Sequence, residues 1–251
     1  MAVNSTVLIG IVLVVLLASV IAVVMLYPSN QPQYQVIGGS LGGAKASMIY
    51  TVSDAPPARI NGQAVSAVTV TVTNISIHSA TTGKWYSAPI ATNGTYNLVA
   101  LANTSAFMSN VQLSAGSYDE IALTISNVTA TINGITSGVT LPSGTLKVFG
   151  NFVLTNTTTN WVNIDFNVSK SLHSTGNAKL VLLPVIQTAL VQGAKLTVDS
   201  NNTVAIQNKG TTTAVVNSGM GLNGTMETNF SVPAGANLTI GVNGTVGLGV
   251  H

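Results

Sequence analysis

The sequence has no cysteine, and only 6% of its 251 residues are charged. Without Cys there is no disulfide framework, no thiolate zinc site and no Cys nucleophile. An average soluble domain carries roughly 25% charged residues. Eight Lys/Arg against six Asp/Glu leave a net charge of +2. Phosphate neutralisation needs a clustered basic face, so nucleic acid is excluded as a partner. Disorder needs low hydrophobicity with high net charge, and this chain is 46% hydrophobic. Aromatic residues are 5%, too few for an obvious stacking platform. His78, His173 and His251 form no HExxH or paired-His spacing, and no GxSxG occurs. The sequence therefore names no catalytic residue, no metal ligand and no cofactor, and the reading is non-enzymatic.

What is present begins with a long apolar run. Residues 7–26 read VLIGIVLVVLLASVIAVVML, without a charge or a proline. As a helix such a run spans about 30 Å, the thickness of a bilayer core. Tyr27 takes the place of an interfacial aromatic, and Pro28 stops the helix. A cleaved signal peptide or a pilin-like leader would carry basic residues before the run, and residues 1–6 have none. The expectation is an uncleaved transmembrane helix over 7–27, with 1–6 cytoplasmic. The first basic residue is Lys45, so the positive-inside rule says little about orientation.

The N-x-[ST] motif decides the orientation instead. It occurs at Asn4 and then at Asn74, Asn93, Asn103, Asn127, Asn156, Asn167, Asn201, Asn223, Asn229, Asn237 and Asn243. The Asn, Ser and Thr content predicts about 5 such motifs by chance. The excess points to a glycosylated exterior for the chain beyond the anchor, with Asn4 inside and unmodified. The membrane is thus one expected partner. Other envelope proteins, glycans or further copies of the chain are the others.

Residues 28–46 are rich in Pro, Gln, Ser and Gly and read as a flexible linker. The glycines at 38–43 lack the GK[ST] and following helix of a phosphate loop. From residue 47 the apolar period is two. Val68, Val70 and Val72 alternate with threonines, and Ile75 and Ile77 continue on the opposite parity. A bulge near Thr73 and Asn74 accounts for the flip. Further strands are predicted at 47–52, 84–90, 95–101, 118–132, 145–155, 161–168 and 179–186. Asn-Gly, Pro-Ser-Gly and Gly-Asn turns separate them. Residues 103–111 read as a short helix. Regular strands with no βαβ alternation predict an all-β sandwich. Shorter strands after residue 188 read as a small C-terminal β module over 189–251.

Few residues can carry chemistry. Asp54 sits in an Asp-Ala-Pro-Pro turn, where its side chain can bond nearby backbone N–H groups. Asp119 and Glu120 are adjacent in a strand and are expected on opposite faces, which argues against a glycosidase pair. Asp165 and Lys170 suit a structural ion pair or strand-end contact. No acidic loop has the oxygen density that calcium requires. Trp85, Tyr86 and Trp161 are the candidate ligand contacts, as a sugar platform. Core packing is the commoner role of such residues. With few carboxylates to protonate, stability is expected to depend weakly on pH. That tolerance, the missing Cys and the dense sequons fit an archaeal cell surface.

The residue words TVSDAPP at 51–57, 68–78, YNLVAL at 96–101, LSAGSYDEI at 113–121, DFNVSKSL at 165–172 and 180–186 occur in one order. In that order they resemble the DUF4382 family of prokaryotic surface proteins and lipoproteins, over about 47–188. The resemblance implies an immunoglobulin-like or carbohydrate-binding-like β-sandwich outside the membrane, and no established activity. The departures are the anchor without a lipoprotein Cys and the extra C-terminal residues. The functional expectation is an anchored, glycosylated structural or interaction protein. The alternatives are a carbohydrate- or envelope-protein-binding module and a filament subunit joined by strand exchange.

Overall fold

The computed structural model describes residues 35–37, 45–55, 59–60, 62–91, 93–175, 179–230, 237–240 and 246–249. The predicted N-terminal helix at 7–27 and the segment before it lie outside the described residues. Among the described residues no helix is long and apolar enough to cross a membrane.

The chain order is β1 (Gln35–Ile37), β2 (Lys45–Asp54), β3 (Arg59–Ile60) and the long β4 (Gln63–Ser79). Next come β5 (Trp85–Ala88), β6 (Thr95–Asn97), a 3-10 turn (Leu98–Leu101), β7 (Ser105–Ser114) and β8 (Gly116–Ile132). Then follow β9 (Ile135–Thr140), β10 (Thr145–Leu154), β11 (Asn160–Phe166) and one helical turn, α1 (Val168–Ser171). After it come β12 (Leu172–Ser174), β13 (Leu180–Leu182), β14 (Val185–Gln192) and β15 (Lys195–Val198). The last strands are β16 (Thr203–Asn208), β17 (Thr211–Met220), β18 (Met226–Phe230), β19 (Asn237–Ile240) and β20 (Val246–Gly249).

The fold is all-β, as expected. One nine-stranded sheet has the order β1-β15-β16-β7-β2-β11-β14-β17-β18. A second runs β12-β13-β9-β8-β4-β3, with β10 on β8 and β5 and β6 on β4. The two sheets share one core. Met48, Tyr50 and Val162 from the first pack in the same cluster as Val68, Ile121 and Leu146 from the second. Among the described residues β19 and β20 pair with each other alone.

The bulge in β4 lies where the parity flip puts it. Thr71 pairs Asn127, Val72 pairs Ile125 and Asn74 pairs Thr124, so Thr73 is skipped. The skip lets Val68, Val70 and Val72, and then Ile75 and Ile77, all face the core. At the centre of the first sheet β2 runs parallel to β11 and antiparallel to β7. Both faces of β2 are covered. Met48, Tyr50 and Val52 enter the main core, while Ile49 joins a second cluster with Trp161, Val191, Leu196, Val198 and Val204. The β15–β16 hairpin thus closes over part of the first sheet's outer face.

Three expectations are corrected. Residues 103–111 form no helix; Ser105 onward is β7. Tyr50 pairs Ser109 and Thr51 pairs Phe107, so Met108 is bulged, and the broken alternation imitates a helical pattern. Residues 189–230 do not stand apart as a module. β14 pairs both β11 and β17, β16 pairs β7, and β18 extends the same sheet. The linker span 28–46 contains β1, which pairs β15, and the start of β2.

Candidate functional site

Two surfaces gather the polar side chains. The first is on the outer face of the first sheet, where β2 and β11 run in parallel. Ser53 and Asp165 are register partners, as are Thr51 and Asn163. Their side chains form one directional chain. The Trp161 indole N–H donates to Thr51 Oγ1 (2.8 Å), whose hydroxyl donates to Asn163 Oδ1 (2.8 Å). Asn163 Nδ2 donates to Ser53 Oγ (2.9 Å), and the Ser53 hydroxyl donates to Asp165 Oδ1 (2.7 Å). Aligned bonds of this kind polarise one another. The chain ends at a carboxylate.

That carboxylate opens on a cleft of about 570 Å³. Ser53, Asp54, Asn163 and Asp165 line it with Asn103, Thr104 and Ser105, and Val204 and Ile206 of β16 supply an aliphatic wall. Asp54 is buried, and its Oδ1 accepts the Val168 N–H at 2.9 Å. Its Oδ2 has no hydrogen-bond partner among the described residues. Burial raises the Asp54 pKa to about 6, reinforced by Asp165 and opposed by the Val168 and Ala55 N–H groups. Burial also raises Asp165, opposed by the Ser53 hydroxyl. Neither carboxylate has an ion-pair partner among the described residues. The predicted Asp165–Lys170 contact is replaced by Ser53, because Lys170 leaves the strand on α1. Beside the neighbouring Ala55 N–H, Asp54 also holds a long-range partner, reaching from β2 to the start of α1.

The second surface is the outer face of the second sheet. His78 pairs Trp85 on one side and Glu120 on the other, and Glu120 pairs Phe149. The four residues form a transverse row across β5, β4, β8 and β10. Trp85 is 46% exposed. Its ring lies 5.1 Å from that of His78, tilted by 49°. His78 Nδ1 is 2.6 Å from Asp119 Oδ1, and Lys147 Nζ is 3.0 Å from Glu120 Oε1. The Asp119 hydrogen bond raises the His78 pKa, with further help from the nearby charge of Glu120.

Asp119 and Glu120 were expected on opposite faces. Ser79 pairs Tyr118 while His78 pairs Glu120, so Asp119 is bulged out. The irregularity brings both acids to the His78 side.

The three predicted aromatic contacts part company. Trp85 is exposed. Tyr86 is half-buried, edge-on to Tyr118 at 6.4 Å and packed against the core. Trp161 is 7% exposed and packs in the second cluster. His173 lies exposed on β12, and His251 is outside the described residues. No group of three or more His, Asp or Glu is placed to hold a metal among the described residues.

Of the sequon asparagines, Asn93, Asn103, Asn127, Asn201 and Asn223 are exposed, and Asn74, Asn156 and Asn167 are half-buried. Asn93 and Asn223 use Oδ1 to hold the N–H of Thr95 and Thr225 in Asn-Gly-Thr turns. Asn167 uses Oδ1 to cap α1, accepting from Lys170 N–H and Ser169 Oγ. Asn229 lies in β18 and Asn237 in β19, while Asn4 and Asn243 lie outside the described residues.

Residues 45–184 match the family described as Domain of unknown function (DUF4382). The match covers more than half of the chain, which therefore belongs to that family. No curated protein and no solved structure matches it.

Proposed function

We propose that this DUF4382 protein is a non-enzymatic, single-pass, membrane-anchored cell-surface protein. An N-terminal helix over 7–27 holds it in the membrane, with 1–6 cytoplasmic. Its β domain, of the immunoglobulin-like or carbohydrate-binding-like kind, is presented outside as an N-glycosylated structural or interaction unit. The observation that carries this reading is the placement of the sequons. Every one whose side chain is described is exposed or half-buried. The fold buries asparagine elsewhere, at Asn160, so exclusion from the core is not a general property of its asparagines. Glycans at such positions would solubilise sheet faces that carry hydroxyls and amides in place of charge. The test is detergent-phase partition of the native chain, with protease added to intact cells. The chain is expected in the detergent phase and cut beyond residue 45. An aqueous, protease-resistant chain contradicts the proposal.

A second reading, a binding module for glycan or another envelope protein, is favoured by the cleft at Asp54 and Asp165. Its two carboxyls have no counter-charge among the described residues, and its floor is lined with hydroxyls and amides. NMR shifts at Asn103, Ser105 and Ile206 on adding envelope glycan or protein fragments test it. Silence at all of them contradicts it.

A further inference from the structure

We propose that the row Trp85–His78–Glu120–Phe149 on the outer face of the second sheet is a platform for a neutral saccharide chain. It lies on a different sheet from the Asp54–Asp165 cleft, and it does not depend on the membrane anchor. The placement follows from register. Trp85 pairs His78, His78 pairs Glu120 and Glu120 pairs Phe149. Strand spacing of about 4.8 Å makes the row about 14 Å long, enough for a few sugar rings in line.

The residues have the chemistry of such a site. Trp85 and Phe149 stand at the two ends. Trp85 is 46% exposed, and Phe149 is half-exposed on the face opposite Leu146 and Val148, which enter the core. Pyranose rings present apolar C–H faces that stack on aromatic rings, and their hydroxyls need both donors and acceptors. The middle of the row supplies both. His78 and Lys147 donate, the exposed Asp119 accepts, and Ser76 and Ser87, register partners in the adjacent row, do either. The His78 ring lies against Trp85, a contact that supports one edge of the indole.

Charge selects the ligand class. The two basic groups are matched to two acids, His78 to Asp119 and Lys147 to Glu120. Among the described residues the row itself has hydrogen-bonding capacity without an uncompensated cation, and Lys84, exposed beside Trp85, is the nearest cation outside it. The row would therefore gain little from a phosphate or a uronic acid, and it suits a neutral glycan.

The test is titration of the full chain, in a detergent without a sugar headgroup, against neutral oligosaccharides of glucose, mannose, xylose and N-acetylglucosamine. The chain has two tryptophans, and Trp161 is buried. Fluorescence of the Trp161→Phe variant therefore reports Trp85. Binding with a blue shift of that emission is expected from at least one oligosaccharide. Trp85→Ala and Phe149→Ala, each in the otherwise native chain and read by titration calorimetry, should each weaken binding by about tenfold or more, with an unchanged melting temperature showing that the fold is intact. The proposal is overturned if no oligosaccharide binds. It is also overturned if binding survives both aromatic variants, and loss of that binding in Asp165→Asn would place the ligand in the cleft.

Discussion

Asn160 is the residue on which the first sheet's polar interior most depends. It is fully buried, and its amide satisfies backbone from two segments. Nδ2 donates to the carbonyls of Ser47 (3.1 Å) and Thr155 (2.7 Å), while Oδ1 accepts from the Thr155 N–H (3.0 Å). Removing it leaves buried backbone groups without partners. Asn160→Ala should cost about 2–4 kcal/mol, read as a lower midpoint in urea at unchanged slope. Asp54 makes the pH expectation more definite. Its folded pKa of about 6 stands above the ordinary 3.8, so the native state holds the proton more tightly than the unfolded chain does. Its contribution to stability is present below about 4 and is lost as pH rises through about 6. The melting temperature should be a few degrees higher at pH 4 than at pH 7, with Asp54→Asn flattening that difference. Asp165, also raised by burial, and His78, raised by Asp119, act in the same sense. A lower melting temperature at pH 4 would contradict this. The carboxyl content read from sequence implied only weak pH dependence. Burial, which composition does not encode, supplies the sign.

Among the elements, legibility followed period. β4 was readable down to its bulge, because five aliphatic residues on one face leave a visible parity flip. Deleting Ser76, from the regular stretch beyond the bulge, should flip the alternation and turn Ile77 to solvent and His78 to the core. Loss of the cooperative thermal transition is expected. Ser76→Ala, which keeps the residue count, should stay within about 1 kcal/mol of the native chain. A deletion variant that melts like the parent contradicts the register. β7 was misread because its bulge at Met108 destroys the period, and because Ala106 and Phe107 face different clusters. Trp161 was ambiguous for a related reason. Its burial is decided by a hairpin more than thirty residues later in the chain, β15–β16, which alternation within β11 cannot reveal. The row at Trp85 was half legible. The aromatic was visible, but the neighbours that give it chemistry are set by cross-strand register.

At the scale of the molecule, the sequence placed a boundary near residue 188, where strands shorten and aromatics thin out. The sheet does not break there. β14 crosses that position and pairs both β11 and β17. The family match ends at 184, so the family's own segment lacks the strands that cover Ile49 and Trp161. A chain ending at residue 188 should therefore show no cooperative unfolding transition, and a sharp one would restore the two-module reading. The central claim is the anchored, external topology, and the sequons provide its own reporters. Peptide mapping by mass spectrometry of the protein from its native membranes tests it most directly. The account predicts an intact segment 7–27, an unmodified Asn4, and glycan on exposed sites such as Asn93, Asn127, Asn201 and Asn223. A mature chain that starts after residue 26, or one with glycan on Asn4 and none beyond, would contradict it.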